Sequence, residues 1–167
     1  MDIGITGHQR LEESRSWPWV RQHVDAILSQ AFKPVVGITS LAIGADQVFA
    51  QSVLQHGGRL AVVVPFEGYE NAFSDDRERG EYHRLLRFAS TVEVLARMKS
   101  DEDSYCEAGK RVVDLCHILI AVWDGKPAAG RGGTADIVNY ALEMGKSTIH
   151  ISPVTFKVRI ASSFPCA

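Results

Sequence analysis

The 167-residue sequence has no long apolar run, no surplus of one charge and few cysteines, and each shortage excludes a class of protein. No apolar stretch approaches the roughly 20 residues that span a bilayer, so no membrane partner is expected. Eighteen Lys and Arg stand against twenty Asp and Glu, a formal net charge of -2. With the two signs interspersed there is no electrostatic footprint for a polyanion, and the expectation is no nucleic acid. Cys106, Cys116 and Cys166 are odd in number and lack CxxC spacing, which argues against a disulfide framework and a thiolate zinc site. The six histidines are scattered without ligand spacing, so neither a metal nor a cofactor is required. Met1 leads straight into a short apolar strand without a basic leader, and the setting read from this is reducing and cytoplasmic. What remains is a small-molecule partner.

What the sequence does contain is alternation. Six short apolar runs read as strands: Asp2–Thr6, Val35–Thr39, Leu60–Val64, Thr91–Leu95, Ile118–Trp123 and Ser147–Ile151. Several are rich in Val and Ile at successive positions, as in strands covered on both faces. Between them come helical spacings, such as Val20, Val24, Ile27 and Leu28, or Tyr82, Leu85, Leu86 and Ala89. Strict β-α alternation with right-handed crossovers implies a single α/β domain of Rossmann-like, doubly wound type, with a mostly parallel sheet and helices on both faces. The expected strand order is 3-2-1-4-5-6. The domain is read as residues 1–153. Residues 154–167, which show no clear period, are read as an irregular C-terminal tail or a contact within a homo-oligomer.

In such a sheet ligands bind beyond the carboxyl ends of the strands, where helix starts present free N–H groups. Three glycine-bearing loops fall there. The first strand ends in Gly4-Ile5-Thr6-Gly7-His8, where Gly7 permits close approach and His8 can meet phosphate or a ring edge. The second ends in Thr39-Ser40-Leu41-Ala42-Ile43-Gly44-Ala45-Asp46, where Ser40 and Gly44 can reach phosphate or ribose. Asp46 reads either as a first-turn carboxylate favoured by the helix dipole or as an acceptor for sugar hydroxyls. The strongest signal is Trp123-Asp124-Gly125 followed by Gly130-Arg131-Gly132-Gly133-Thr134 ahead of a periodic helix. Successive glycines can turn their N–H groups inward, Thr134 can cap, and Arg131 can add a charge-assisted contact, which makes an anion nest.

Those loops, together with Val63-Val64-Pro65-Phe66, Tyr105 and Ile120-Ala121-Val122-Trp123-Asp124-Gly125, resemble the SLOG superfamily, the Rossmann-like group of LOG-type phosphoribohydrolases, DprA and YpsA-like proteins. The resemblance spans nearly the whole chain. It implies ligand binding at Gly7, Gly44, Asp46, Gly133 and Thr134. In the LOG enzymes and the related deoxyribosyltransferases a catalytic glutamate follows the Gly-Thr pair by three positions. Here that position is Ile137, and Asp136 beside it lies at a different helical angle.

Two functions follow as expectations. One is a nucleotide or nucleotide-derived sugar-phosphate binding domain, a sensor or carrier, using Gly7, His8, Ser40, Gly44, Asp46, Arg131, Gly132, Gly133 and Thr134. The other is an N-glycosidic-bond hydrolase or transferase acting on nucleoside monophosphates, for which Asp136, Asp46 and Glu67 are the carboxylate candidates. Trp17 and Trp19 are read as packing residues at the start of the first helix, and Cys116-His117 as buried.

Overall fold

The computed structural model describes residues 1–13, 15–127 and 132–161. Seven strands form one sheet in the order β4-β3-β2-β1-β5-β6-β7. They are β1 (Asp2–Gly7), β2 (Val36–Thr39), β3 (Arg59–Val64), β4 (Ala89–Val94), β5 (Ile118–Val122), β6 (Ser147–Ser152) and β7 (Lys157–Ala161). All neighbours are parallel except β6 and β7. Among the described residues five α-helices connect them: α1 (Ser16–Gln30), α2 (Ala45–Gln55), α3 (Asp76–Leu86), α4 (Asp101–Leu115) and α5 (Thr134–Glu143). This is the Rossmann-like α/β architecture read from the alternation.

The helices occupy both faces, and each face has its own apolar core. Val20, Val24 and Leu28 of α1 and Phe49 and Val53 of α2 are fully buried on one side with Ile3, Ile5, Leu60 and Val62 of the sheet. Val112 and Val113 of α4 and Ile137 and Ala141 of α5 pack on the other, with Ile38, Val63 and Leu119. Each of the buried Val, Leu, Ile and Phe side chains contributes about 1.5–3 kcal/mol by leaving water. Cys106 and Cys116 lie in this second core, and burial pushes the Cys116 thiol up to about 11, so it packs rather than reacts. Trp17 and Trp19 pack against the first core, Trp19 edge-on to Phe156 at 5.3 Å.

Two expectations are corrected. The fourth strand does not lie beside β1 but pairs with β3 at the edge of the sheet. Helices α1 and α2 touch, and α2 touches α3, so the first half of the chain steps outward along one face. Helix α4 then returns beneath β3, β2 and β1 on the bare face and delivers β5 to the free side of β1. Strand β4 shows its position in its composition, Ala-Ser-Thr-Val-Glu-Val, with five of six residues exposed.

The second correction concerns the tail. Part of 154–167 is not irregular, since Lys157–Ala161 pairs antiparallel with β6. The hairpin is held to α1 by the Ser16 hydroxyl, which donates to the Pro153 carbonyl at 3.2 Å, and by Arg15 stacked over the Phe156 ring at 4.6 Å. Lys-Val-Arg-Ile-Ala carries the polar/apolar alternation of an edge strand, a signal that the reading of the tail passed over. Among the described residues no helix is long and apolar enough to cross a membrane.

Candidate functional site

The chain turns one way from β1 to β2 and the other way from β4 to β5, so the topology switches at the carboxyl end of β1. A cleft of about 730 Å³ opens there. Its floor is the ends of β1, β2 and β3, and its walls include the β5–α5 loop and the first turns of α3, α4 and α5. Of the residues expected to bind ligand, Gly7, His8, Ser40 and Asp46 line one part of it and Gly132, Gly133 and Thr134 another. Gly44 does not line the cleft, and Arg131 lies outside the described residues.

The β2–α2 loop has its own occupant. Asp46 is 7 % exposed, and its Oδ2 accepts the Thr39 hydroxyl at 2.8 Å and the Ser40 N–H at 2.9 Å. Thr39 Oγ1 in turn accepts the Leu41 N–H at 3.0 Å, and Gln47 Nε2 donates to the Leu41 carbonyl at 3.3 Å. These bonds hold Leu41 at a φ of 57°, a left-handed conformation that a branched side chain adopts only under such constraint. Burial raises the Asp46 carboxyl to about 6, against the lowering effect of Thr39 and the loop N–H groups. An anion therefore already sits in this nest, and it belongs to the protein. Gly44 explains itself sterically: at a φ of 82° a Cβ would lie 2.5 Å from the His8 carbonyl oxygen, while the neighbouring Ala45 N–H donates to that same oxygen at 3.1 Å. Gly7 likewise has Ala45 Cβ 2.7 Å and Val122 Cβ 2.8 Å from its missing Cβ. Both glycines seat the first loop against α2 and β5.

The β5–α5 loop is different. Helix α5 starts at Thr134 with Gly133 as an N-cap of extended conformation, and no side chain closes the cap. Thr134 is thus the first helical residue, not the cap the sequence suggested. Its first turn lies on the cleft wall, at the end of a helix where the leading N–H groups lack intrahelical partners, although the Asp136 N–H already donates to the Gly133 carbonyl at 3.0 Å. One potential donor is used, since the Gly132 N–H donates to Asp136 Oδ2 at 2.9 Å. Gly132, at a φ of 81°, is pressed against Cys106 of α4. Across the cleft His8 Nε2 accepts the Asp124 N–H at 3.0 Å and lies 3.3 Å from Asp124 Oδ1. Burial works to raise the Asp124 carboxyl, but the Lys126 N–H and the charges of His8 and Lys126 outweigh it and hold the group below its ordinary value. The His8–Asp124 contact ties the loops on either side of the switch point together.

The far end of the cleft is aromatic. A 3-10 turn, Tyr69–Ala72, brings Tyr69 within 5.8 Å of both Phe66 and Tyr105 and 5.3 Å of Phe73, ring centre to ring centre. Burial, with the nearby Asp46 charge, pushes the Tyr69 phenol far above its ordinary value. Tyr105, on the second turn of α4, is the more open of the two tyrosines that line the cleft. Beside them Glu78 of α3 accepts from Arg10 Nη2 at 2.8 Å, and both residues line the cleft. This end was missed in the sequence. The inward face of α3 was read from Tyr82 onward, and Glu78 stands one helical turn earlier on that face.

The carboxylate candidates fare unevenly. Glu67 is exposed and outside the cleft lining, and Asp136 is exposed and turned back to Gly132. Ile137 does line the cleft, but its side chain also fills the space over Gly109 of α4, where a Cβ would meet Ile137 Cδ1 at 2.6 Å. Its apolar character serves the α4–α5 contact.

No family model and no curated protein matches this chain. Solved structures do. DNA processing protein A (DprA) from Streptococcus pneumoniae is similar over 89 % of this chain at 15 % identity and a TM-score of 0.62. DNA processing protein A from Helicobacter pylori, described for its single-stranded DNA binding mode, is similar over 90 % at 13 % identity and a TM-score of 0.62. A molybdenum cofactor binding protein from Rippkaea orientalis is similar over 90 % at 16 % identity and a TM-score of 0.60. The chain spans 49 % of the first, 64 % of the second and 76 % of the third. At these identities the likeness is one of fold, and at that level the SLOG resemblance, which includes DprA, is borne out. It also corrects one expectation: a protein of this fold binds single-stranded DNA, so the exclusion of a nucleic-acid partner does not stand. Net charge was the wrong guide, because it averages over a surface while binding is local.

Proposed function

We propose that the cleft binds a nucleotide or a nucleotide-derived sugar phosphate, as a sensor or carrier site. The observation that carries the reading is the open start of α5 on the wall of a cleft whose opposite end is aromatic. In this reading the phosphate takes the first-turn N–H groups of α5 and the Thr134 hydroxyl, the sugar lies over the strand ends near Ser40 and Asp46, and the ring system reaches Tyr105. His8, held at the cleft by its contacts with Asp124, is a further contact to the ligand. Hydrolysis of an N-glycosidic bond would need a carboxylate at the reacting sugar carbon, and Ile137 supplies none.

Two measurements test the proposal. Mass spectrometry of small molecules released from the denatured protein should show a phosphorylated nucleotide-type compound. Calorimetry with that compound should show Gly133→Glu weakening binding roughly tenfold or more, because a carboxylate would occupy the phosphate position. Single-stranded oligonucleotide belongs in the same titration, since the fold accommodates it in the H. pylori protein. Unchanged affinity in a folded Gly133→Glu variant removes α5 from the site, and oligonucleotide binding without any mononucleotide binding replaces the ligand class.

A further inference from the structure

We infer that the outer edge of β4 is the contact of a two-fold dimer, in which β4 of a second copy pairs antiparallel with it about Val92. The sheet ends in β4 on one side and β7 on the other, and among the described residues no further strand pairs with either. An open edge presents a row of backbone donors and acceptors to any other chain, and charged side chains are the usual guard against such pairing. Strand β7 has that guard. Lys157 and Arg159 are exposed and make no ion pair among the described residues. Self-pairing about Arg159 sets that cation against its own copy, and self-pairing about Val158 sets Lys157 against Arg159, both unfavourable.

Strand β4 lacks the guard. Its one charge, Glu93, is answered within the chain by Arg111 of α4, whose Nε donates to Oε2 at 3.0 Å. Val92 and Val94, side by side on one face, are 49 % and 55 % exposed. On the opposite face α4 packs on β1, β2 and β3 and leaves beside β4 a groove of about 360 Å³, lined by Val36, Ile38, Ala61, Val63 and Leu115. The backbone then selects a register. The Leu95 N–H donates to the Val64 carbonyl at 2.9 Å, so by alternation the backbone groups of Glu93 turn toward β3 and those of Val92 and Val94 turn outward. A two-fold through Glu93 would set that carboxylate against its copy. A two-fold through Val92, in the middle of residues 90–94, gives Val92 both backbone bonds with its copy, puts Val94 against Ser90 and sets each Glu93 against Thr91 of the other chain. No β4 residue lines the cleft, so both clefts stay open in this dimer and the contact is independent of the ligand reading.

Sedimentation velocity of the full chain over a concentration series tests the assignment, with far-ultraviolet circular dichroism as the check on folding. The unmodified chain should dimerise. Val92→Lys, which sets two cations directly opposite at the two-fold, should weaken the dimer roughly tenfold or more. Ile160→Lys on β7 should leave it unchanged. Thr91→Lys, placed opposite Glu93 of the second copy, should tighten it roughly two- to tenfold, which reads the register without relying on a loss. A monomer at every concentration reached overturns the inference. So does a dimer indifferent to both Val92→Lys and Thr91→Lys, and a dimer lost only in Ile160→Lys moves the contact to β7.

Discussion

The loops after β2 and β5 look alike in sequence, each a glycine-bearing segment that ends a strand and opens a helix, yet they do opposite things. In the first, the loop N–H groups are turned onto the protein's own carboxylate, Asp46, and the cradle is full. In the second, Asp136 takes a single N–H group from Gly132 and the helix start behind it remains uncapped. A glycine-rich strand-to-helix turn is therefore a receptor for anions only when no internal anion reaches it first. The deciding residue is a short carboxylate in the helix's first turn, and what matters is how much of the loop it can cover.

The comparison can be broken most severely at Gly44. Gly44→Ala forces a Cβ to within 2.4 Å of the Gln9 carbonyl oxygen at a φ of 82°, and should cost roughly 3 kcal/mol or more in denaturant unfolding. Gly125→Ala, at a φ of 86° with open space around it, should cost only about 1 kcal/mol. Equal costs would mean that the first loop is not locked against the His8–Gln9 segment.

A comparable effect should appear in the pH dependence of stability. The unfolded Asp46 carboxyl ionises at its ordinary value of 3.8 and the folded one at about 6. Between those values the folded state holds a proton that the unfolded state has lost, so this residue's contribution is full below the unfolded value and declines as pH rises through the folded one. A shift of about two units corresponds to about 3 kcal/mol. Asp46→Asn, which keeps an acceptor for Thr39 without a charge to bury, should gain about that much relative to wild type between pH 4 and 7. A difference that stays flat across the range would show that the carboxylate is ionised in the fold and that the first loop is a stronger anion cradle than described.

The smallest effect belongs to the second loop. Asp136→Ala removes one acceptor from an exposed N–H and should lower stability by about 0.5–1 kcal/mol. Ligand affinity in calorimetry should hold or improve slightly, since the Gly132 N–H is released beside the proposed phosphate position. A large loss of affinity, with the fold retained, would make Asp136 a ligand contact and reverse the contrast between the loops.

Much of this was legible in the residues, for local reasons. Val and Ile runs marked the strands, and 3.6-residue spacings marked the helices, because each element must bury a face that its own period defines. Gly7, Gly132, Gly133 and Thr134 line one cleft, because strand ends and helix starts in this fold meet at one edge. Glu78 and Arg10 were not legible. Sixty-eight positions separate them, and only the packing of α3 beside the first loop brings them together.

The sequence by itself determined the α/β class, the positions of most elements and the edge on which the glycine-bearing loops gather, since periodicity and turn chemistry act over a few neighbouring residues. Tertiary structure alone decided that β4 sits outside β3, that Lys157–Ala161 closes the sheet as an antiparallel strand, and that Asp46 fills one loop while the start of α5 stays open. Those outcomes depend on which face of the sheet α4 must cover and on where a carboxylate lands once its helix is docked. Both are long-range packing choices that no local pattern encodes.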